Sequence, residues 1–360
     1  MSADDPPSML RRYVGIAGAA AGVLAAGAAA GVFAERKVVA RRRAAAVEPF
    51  GSIRGRARTV VADDGLWLHA EVDDADDGAT GRPTLVFVHG YALNLDCWHF
   101  QRRALRGQHR MVFYDQRSHG RSARSRKDRC TIEQLGADLG VVLDTLTDDG
   151  PVILIGHSMG GMTMMALAEQ HPEWFGSRVV AVGLISTSSG GLKASTLGLP
   201  GMPGRLVHLV SPALVATMAR APRLVEGGRR VGSDIGFVMT RKLAFGSTVP
   251  QEYVDFTDEM LASTPIDVVA DFFPGFDNHD KPKALEAMDR APTVVIAGGR
   301  DAITPISHSR RIAEQMPSAE LVELPDAGHM IMLERHDEVT QGLRRLIERV
   351  EQAADHEARP

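Results

Sequence analysis

The sequence predicts an α/β protein, a mostly parallel central sheet flanked by helices, and three observations carry that reading. Apolar runs of strand length recur through the chain, at Thr84–His89, Arg110–Asp115, Val179–Ser186, Thr293–Ala297 and Glu320–Leu324. Helical patterns separate them, and continuous apolar strands alternating with helices indicate a sheet covered on both faces. The third observation is Pro151-Val152-Ile153-Leu154-Ile155 followed at once by Gly156-His157-Ser158-Met159-Gly160 and the helix-forming run Met162–Gln170. That order seats a serine on a tight strand-to-helix turn. Glycine at 156 and 160 suits such a turn, which is strained and brings the helix close to the strand.

Taken in order, Ala57–Ala62 and Leu66–Val72 are short strands joined at Asp63-Asp64-Gly65, a hairpin signal. Asp73–Pro83 is a polar, turn-rich connection. Thr131-Ile132-Glu133-Gln134 has capping-box spacing and opens a helix whose apolar positions Leu135, Leu139, Val142, Leu143 and Leu146 recur at three and four. Between Thr187 and about Lys281 the strand rhythm stops. Helical patterns replace it, at Leu206–Arg220, Ile235–Ala244, Pro250–Ala262 and Pro265–Phe273. An all-helical insertion after the sixth strand, rich in Leu, Val, Met and Phe, reads as a cap that excludes water and shapes an acyl or alkyl pocket. A helix over about Glu338–Glu351 follows the last strand. The expected organisation is a tail and apolar segment over 1–35, a basic linker over 36–56, a core over 57–187 and 282–350, a cap over 188–281 and a loose tail over 351–360.

The chain has 360 residues, 44% of them hydrophobic, and a net charge of −4. Residues 1–58 carry ten Lys/Arg against four Asp/Glu, whereas the remainder carries 31 against 41. A body this acidic is a poor nucleic-acid binder, which needs a basic face. Val14–Ala34 is 21 residues without a charge, about 31 Å as a helix. With basic residues at both ends it is expected to be a single N-terminal membrane span. Arg36, Lys37 and Arg41–Arg43 favour a cytoplasmic body, while Arg11 and Arg12 pull the other way. A cleaved export signal is the alternative, and Gly18-x-x-x-Gly22 is a spacing that could seat a partner helix. Cys97 and Cys130 form neither a disulfide framework nor a metal-ligand spacing. Phosphate-cradling and dinucleotide fingerprints are absent from the sequence, so no cofactor and no metal is implied.

A serine hydroxyl needs a base to take its proton and an anionic group to orient that base. Two segments after the insertion supply candidates at strand ends: Gly298-Gly299-Arg300-Asp301 with Pro305 offers Asp301, and Asp326-Ala327-Gly328-His329 offers His329. Asp115 ends a strand too early in the chain and reads as a loop brace. Asp326 lies too close to His329 in sequence. The order Ser158, Asp301, His329 resembles that of the α/β hydrolase fold, and the chain is similar to the serine hydrolases of that family with a helical cap, over about residues 57–350. His89-Gly90-Tyr91 resembles the family's oxyanion loop, which implies the backbone N–H groups of Tyr91 and Met159 as oxyanion donors. Asp115-Gln116-Arg117-Ser118-His119-Gly120-Arg121-Ser122 resembles its fourth-strand loop. His-Gly-Tyr-Ala departs from the His-Gly-Gly-Gly form of many lipases and esterases, which weakens any case for bulky tertiary-alcohol esters. Serine rather than aspartate at the strand-to-helix turn implies acyl chemistry: cleavage of an ester, thioester, lactone or amide, or transfer of the acyl group. A small-molecule ester or thioester is the expected substrate. The cap and the apolar N-terminal segment together suggest an apolar, lipid-derived acyl group. Acyl transfer on the same residues and a non-catalytic ligand-binding role are the alternatives.

Overall fold

A computed structural model describes residues 48–78, 81–147, 150–192 and 240–357. Eight strands form one sheet: β1 (Arg56–Val61), β2 (Trp67–Asp73), β3 (Thr84–Val88), β4 (Met111–Tyr114), β5 (Val152–His157), β6 (Val179–Ile185), β7 (Thr293–Gly298) and β8 (Ala319–Leu324). Their order in space is β1-β2-β4-β3-β5-β6-β7-β8. The hairpin β1–β2 is antiparallel, β2 pairs antiparallel with β4, and every later pairing is parallel. At the hairpin turn Gly65 takes φ of 81°, a conformation only glycine adopts freely. The alternation of elements predicts this mostly parallel, two-sided sheet, and the architecture is the α/β hydrolase fold that the resemblance implies.

Successive side chains of a strand point to opposite faces, and the two faces of this sheet bury separate cores. Leu85, Phe87, Phe113, Ile153 and Ile155 pack on one side with the helices His99–Leu105 and His336–Glu357. Val86, Val88, Val112 and Leu154 pack on the other with the helices Ile132–Leu146, Met159–Gln170, Pro282–Met288 and Ile306–Gln315. Thr131 caps its helix as the sequence predicts, its side chain accepting the Gln134 N–H at 3.1 Å. Between β6 and β7 the described residues include a helical turn at 240–244 and the helices Gln251–Ser263 and Ile266–Asp277. The expected helix over 206–220, and residues 235–239 of the next, lie outside the described residues.

Three expectations change. The pattern ends a helix at Phe273, before Pro274, yet the helix runs on to Asp277 with Pro274 inside it. Proline removes one backbone bond, and burial of Val268, Phe272 and Phe276 on the core outweighs that loss. The final helix extends to Glu357, through the tail expected to be loose, because Glu351, Ala353 and Ala354 are strong helix formers. The N-terminal membrane anchor expected over 14–34 is also corrected. Among the described residues no helix is long and apolar enough to cross a membrane, and 14–34 lies outside them. Fifteen of its 21 residues are Ala or Gly, so few carry the insertion free energy of Leu, Ile, Val or Phe. The cytoplasmic placement drawn from the flanking arginines goes with it.

Candidate active site

The carboxyl end of β5 leads straight into the helix Met159–Gln170, and Ser158 makes the turn with φ 52° and ψ −118°. A non-glycine residue there is strained, by roughly 1–3 kcal/mol, and the surroundings hold it. Its N–H bonds to the Ile185 carbonyl at 3.0 Å, and its own carbonyl accepts the Thr187 hydroxyl at 2.7 Å. A Cβ on Gly160 would lie 2.1 Å from the Val88 carbonyl oxygen, and one on Gly156 would lie 2.7 Å from the Gly160 carbonyl carbon. Both positions therefore exclude any larger residue.

Asp301 sits just past β7 with its carboxylate out of solvent. Its Oδ1 accepts the N–H groups of Ile303 and Thr304, each at 2.8 Å, and its Oδ2 accepts the Thr304 hydroxyl at 2.8 Å. His329 Nδ1–H completes the set on Oδ2, also at 2.8 Å. Burial alone would raise the carboxyl. The nearby imidazole and these hydrogen bonds reverse that and hold it below the ordinary aspartate range. With Nδ1 committed to Asp301, Nε2 is the ring nitrogen outside that bond. His157 is buried, and burial pushes it well below the ordinary histidine range, with the neighbouring His329 adding to the effect. Neutral, it donates Nε2–H to the His329 carbonyl at 3.0 Å and so fixes the backbone that carries His329.

The loop His89-Gly90-Tyr91 is braced from within. His89 gives Nδ1–H to the Gly90 carbonyl at 2.7 Å and takes the Gln116 N–H on Nε2 at 2.9 Å. The Gln116 side chain donates to the His89 carbonyl at 2.7 Å and accepts the Thr163 hydroxyl at 2.7 Å, tying this loop to the elbow helix. Among the described residues, neither the Tyr91 N–H nor the Met159 N–H is matched with a protein acceptor. Thr304, Gln116, Thr163 and His157 thus contribute to the site without having been singled out for it. Of these, Gln116 lies inside the fourth-strand loop motif and His157 inside the Gly-x-Ser-x-Gly motif.

The rival acids are occupied elsewhere. Asp115 accepts the N–H groups of Leu95 and Arg121 at 2.8 Å each and braces two loops. Asp326 forms an exposed pair with Arg300 at 2.8 Å. Ser158 and His329 share the wall of a pocket of about 290 Å³, whose other walls include Leu261, Val269, Phe273 and Phe276 from the two insertion helices. A larger cleft of about 750 Å³ opens at the other end of the strands, beside Pro83, Pro151 and Val180, away from Ser158. The smaller one is the pocket that Ser158 and His329 line.

The model of the family described as "alpha/beta hydrolase fold" matches residues 83–336. The chain belongs to that family. It is 28% identical over 264 residues to the dihydrolipoyllysine-residue acetyltransferase component of an acetoin cleaving system from Pseudomonas putida, spanning 73% of this chain and 63% of that relative's length. It is 27% identical to a putative carbamate hydrolase of Caulobacter sp. (strain K31), across 74% of this chain and 89% of the relative. A solved thermophilic esterase from Thermogutta terrifontis superposes with TM-score 0.63 at 25% identity, covering 82% of this chain and 98% of that one. The protein is a hydrolase of the α/β fold family with esterase-like neighbours.

Buried neutral histidines give this hydrolase an acid limit. Burial depresses His89 to about 3 and His119 and His279 to about 4, from 6.5. The unfolded chain takes up those protons below pH 6.5 while the folded chain refuses them, so stability is full above 6.5 and falls as pH drops toward 4. Urea unfolding at pH 7 and pH 5 is expected to differ by at least about 2 kcal/mol, the contribution of a single such group. Equal stability at the two values would show that these rings are accessible to protons in the fold.

Proposed function

We propose that this hydrolase cleaves a carboxylic ester or thioester with an apolar acyl group, through an acyl-enzyme on Ser158. The Ser158 oxygen attacks the carbonyl carbon and its proton passes to His329 Nε2. Asp301 holds Nδ1–H and steadies the imidazolium. The N–H groups of Tyr91 and Met159 bind the oxyanion, each contributing a few kcal/mol to the transition state. Collapse breaks the bond to the leaving oxygen or sulfur, which takes the proton from Nε2–H. Water, deprotonated by His329, then attacks the acyl-enzyme and releases the acid and free Ser158. Helices Gln251–Ser263 and Ile266–Asp277 serve as cap, turning Leu261, Val269, Phe273 and Phe276 toward the acyl chain.

The observation that carries this reading is the 2.8 Å bond from His329 to Asp301 on a wall that Ser158 shares. A fluorophosphonate probe is expected to label the wild type covalently and to leave Ser158→Ala unlabelled. Labelling that persists in Ser158→Ala would move the nucleophile elsewhere, and an unlabelled wild type would favour a ligand-binding role without turnover. Similarity to an acetyltransferase component supports acyl transfer as a second reading. Product analysis with and without added alcohol separates the two, since transfer yields a new ester and hydrolysis yields acid.

A further inference from the structure

The insertion grips the oxyanion loop at two adjacent residues. The Tyr91 hydroxyl donates to the backbone carbonyl of Val269, in the first turn of the helix Ile266–Asp277. The Thr264 hydroxyl, buried in the short link between the two insertion helices, donates to the Ala92 carbonyl at 3.1 Å. Ala92 has φ of 56°, so this stretch depends on outside contacts to keep its shape. The Tyr91 ring stands edge-on to Phe276, centroids 4.9 Å apart. The side chain of Met159 is buried in the same apolar cluster as Val268, Phe272 and Phe276. Both residues proposed to supply oxyanion N–H groups therefore lean on one insertion helix. That helix also lines the pocket through Val269, Phe273 and Phe276.

Resting on the functional reading above, we propose that Tyr91 and Thr264 are positioning residues that transmit filling of the acyl pocket to the oxyanion donor. An acyl chain long enough to reach Val269 and Phe276 steadies the helix. Through the Tyr91 hydroxyl and the Ala92 carbonyl, the helix then holds the Tyr91 N–H at the oxyanion position. A short acyl group leaves those walls uncontacted and gains little from the two ties. Chain-length preference on this view resides in kcat, because the N–H engages the oxyanion chiefly in the transition state. The pocket's polar side chains fit this division of labour. Thr257 donates to the Tyr253 carbonyl at 2.8 Å, Thr304 to Asp301 at 2.8 Å and Tyr91 to Val269, so their hydroxyl protons are committed within the protein.

The test is a series of p-nitrophenyl esters from acetate to octanoate, with wild type, Tyr91→Phe and Thr264→Val. Each substitution removes one hydroxyl and keeps the side chain's shape. In each variant kcat on the longer esters is expected to fall about tenfold, the scale of one lost hydrogen bond. In Thr264→Val kcat on acetate should fall less than about twofold. In both variants the fall is larger on the longer esters than on acetate, with KM nearly constant. A tie that serves stability alone would lower the unfolding temperature and leave the ratio of long-chain to acetate kcat as in wild type. That ratio unchanged in both variants overturns the inference while leaving the serine mechanism intact. A wild type that neither labels nor turns over any ester overturns the functional reading, and this inference with it.

Discussion

Ser158→Ala is expected to lower kcat on a matched ester by on the order of 10^5-fold or more, with KM nearly unchanged. The size follows from what remains once the hydroxyl is gone. The pocket's two threonines cannot stand in, because Thr257 and Thr304 both commit their protons to protein oxygens. His329 would keep its bond to Asp301, and the proposed oxyanion donors belong to the backbone. Water oriented by that intact remainder supplies the residual rate, some 10^3–10^4 above the uncatalysed reaction in enzymes of this type. Alanine occupies the strained φ of 52° no more easily than serine does, so the fold should change little. Steady-state kinetics beside a thermal melt checks both halves. A variant within about tenfold of wild type would remove Ser158 from the chemistry.

What was legible along the chain is what neighbouring residues decide. The glycines at 156 and 160 announce the elbow because the turn itself is crowded, and Thr131 announces its helix because a cap bonds three residues away. The insertion of β4 between β2 and β3 is not local, and no run of residues encodes it. The same holds for the contacts that finish the site. His157 reaches the carbonyl of His329 across 172 positions, and Tyr91 reaches Val269 across 178. Packing brings those atoms together, and packing leaves no periodicity to read. The helix that continues past Pro274 shows the reverse situation. There a reliable local rule yields to three buried apolar side chains. Residues 14–34 mark a further boundary, since length and absence of charge speak to a span only when the residues themselves favour hydrocarbon.

Asp301→Asn is the sharper probe, because it keeps the shape of the site and alters one proton. The carboxylate accepts four hydrogen bonds: two backbone N–H groups on Oδ1, and the Thr304 hydroxyl with His329 Nδ1–H on Oδ2. An asparagine has one acceptor oxygen and can place it on either side. Turned toward His329, it would aim its NH2 group at the N–H groups of Ile303 and Thr304, leaving buried donors facing donors at about 1–3 kcal/mol for each lost bond. Turned toward the backbone, it keeps both of those bonds and presents NH2 to Thr304 and to His329. The hydroxyl can rotate to accept, and the imidazole can accept on Nδ1 by shifting its proton to Nε2. The second arrangement wins, and it gives His329 a tautomer unable to take the Ser158 proton. The expected loss in kcat is about 10^4-fold, the scale of a wrong-tautomer imidazole, with KM and thermal stability near wild type. Fluorophosphonate labelling should slow in proportion, since it needs the same proton transfer. An Asp301→Asn enzyme retaining a tenth of wild-type kcat would show that another group orients His329, and the arrangement proposed at the end of β7 would have to be abandoned.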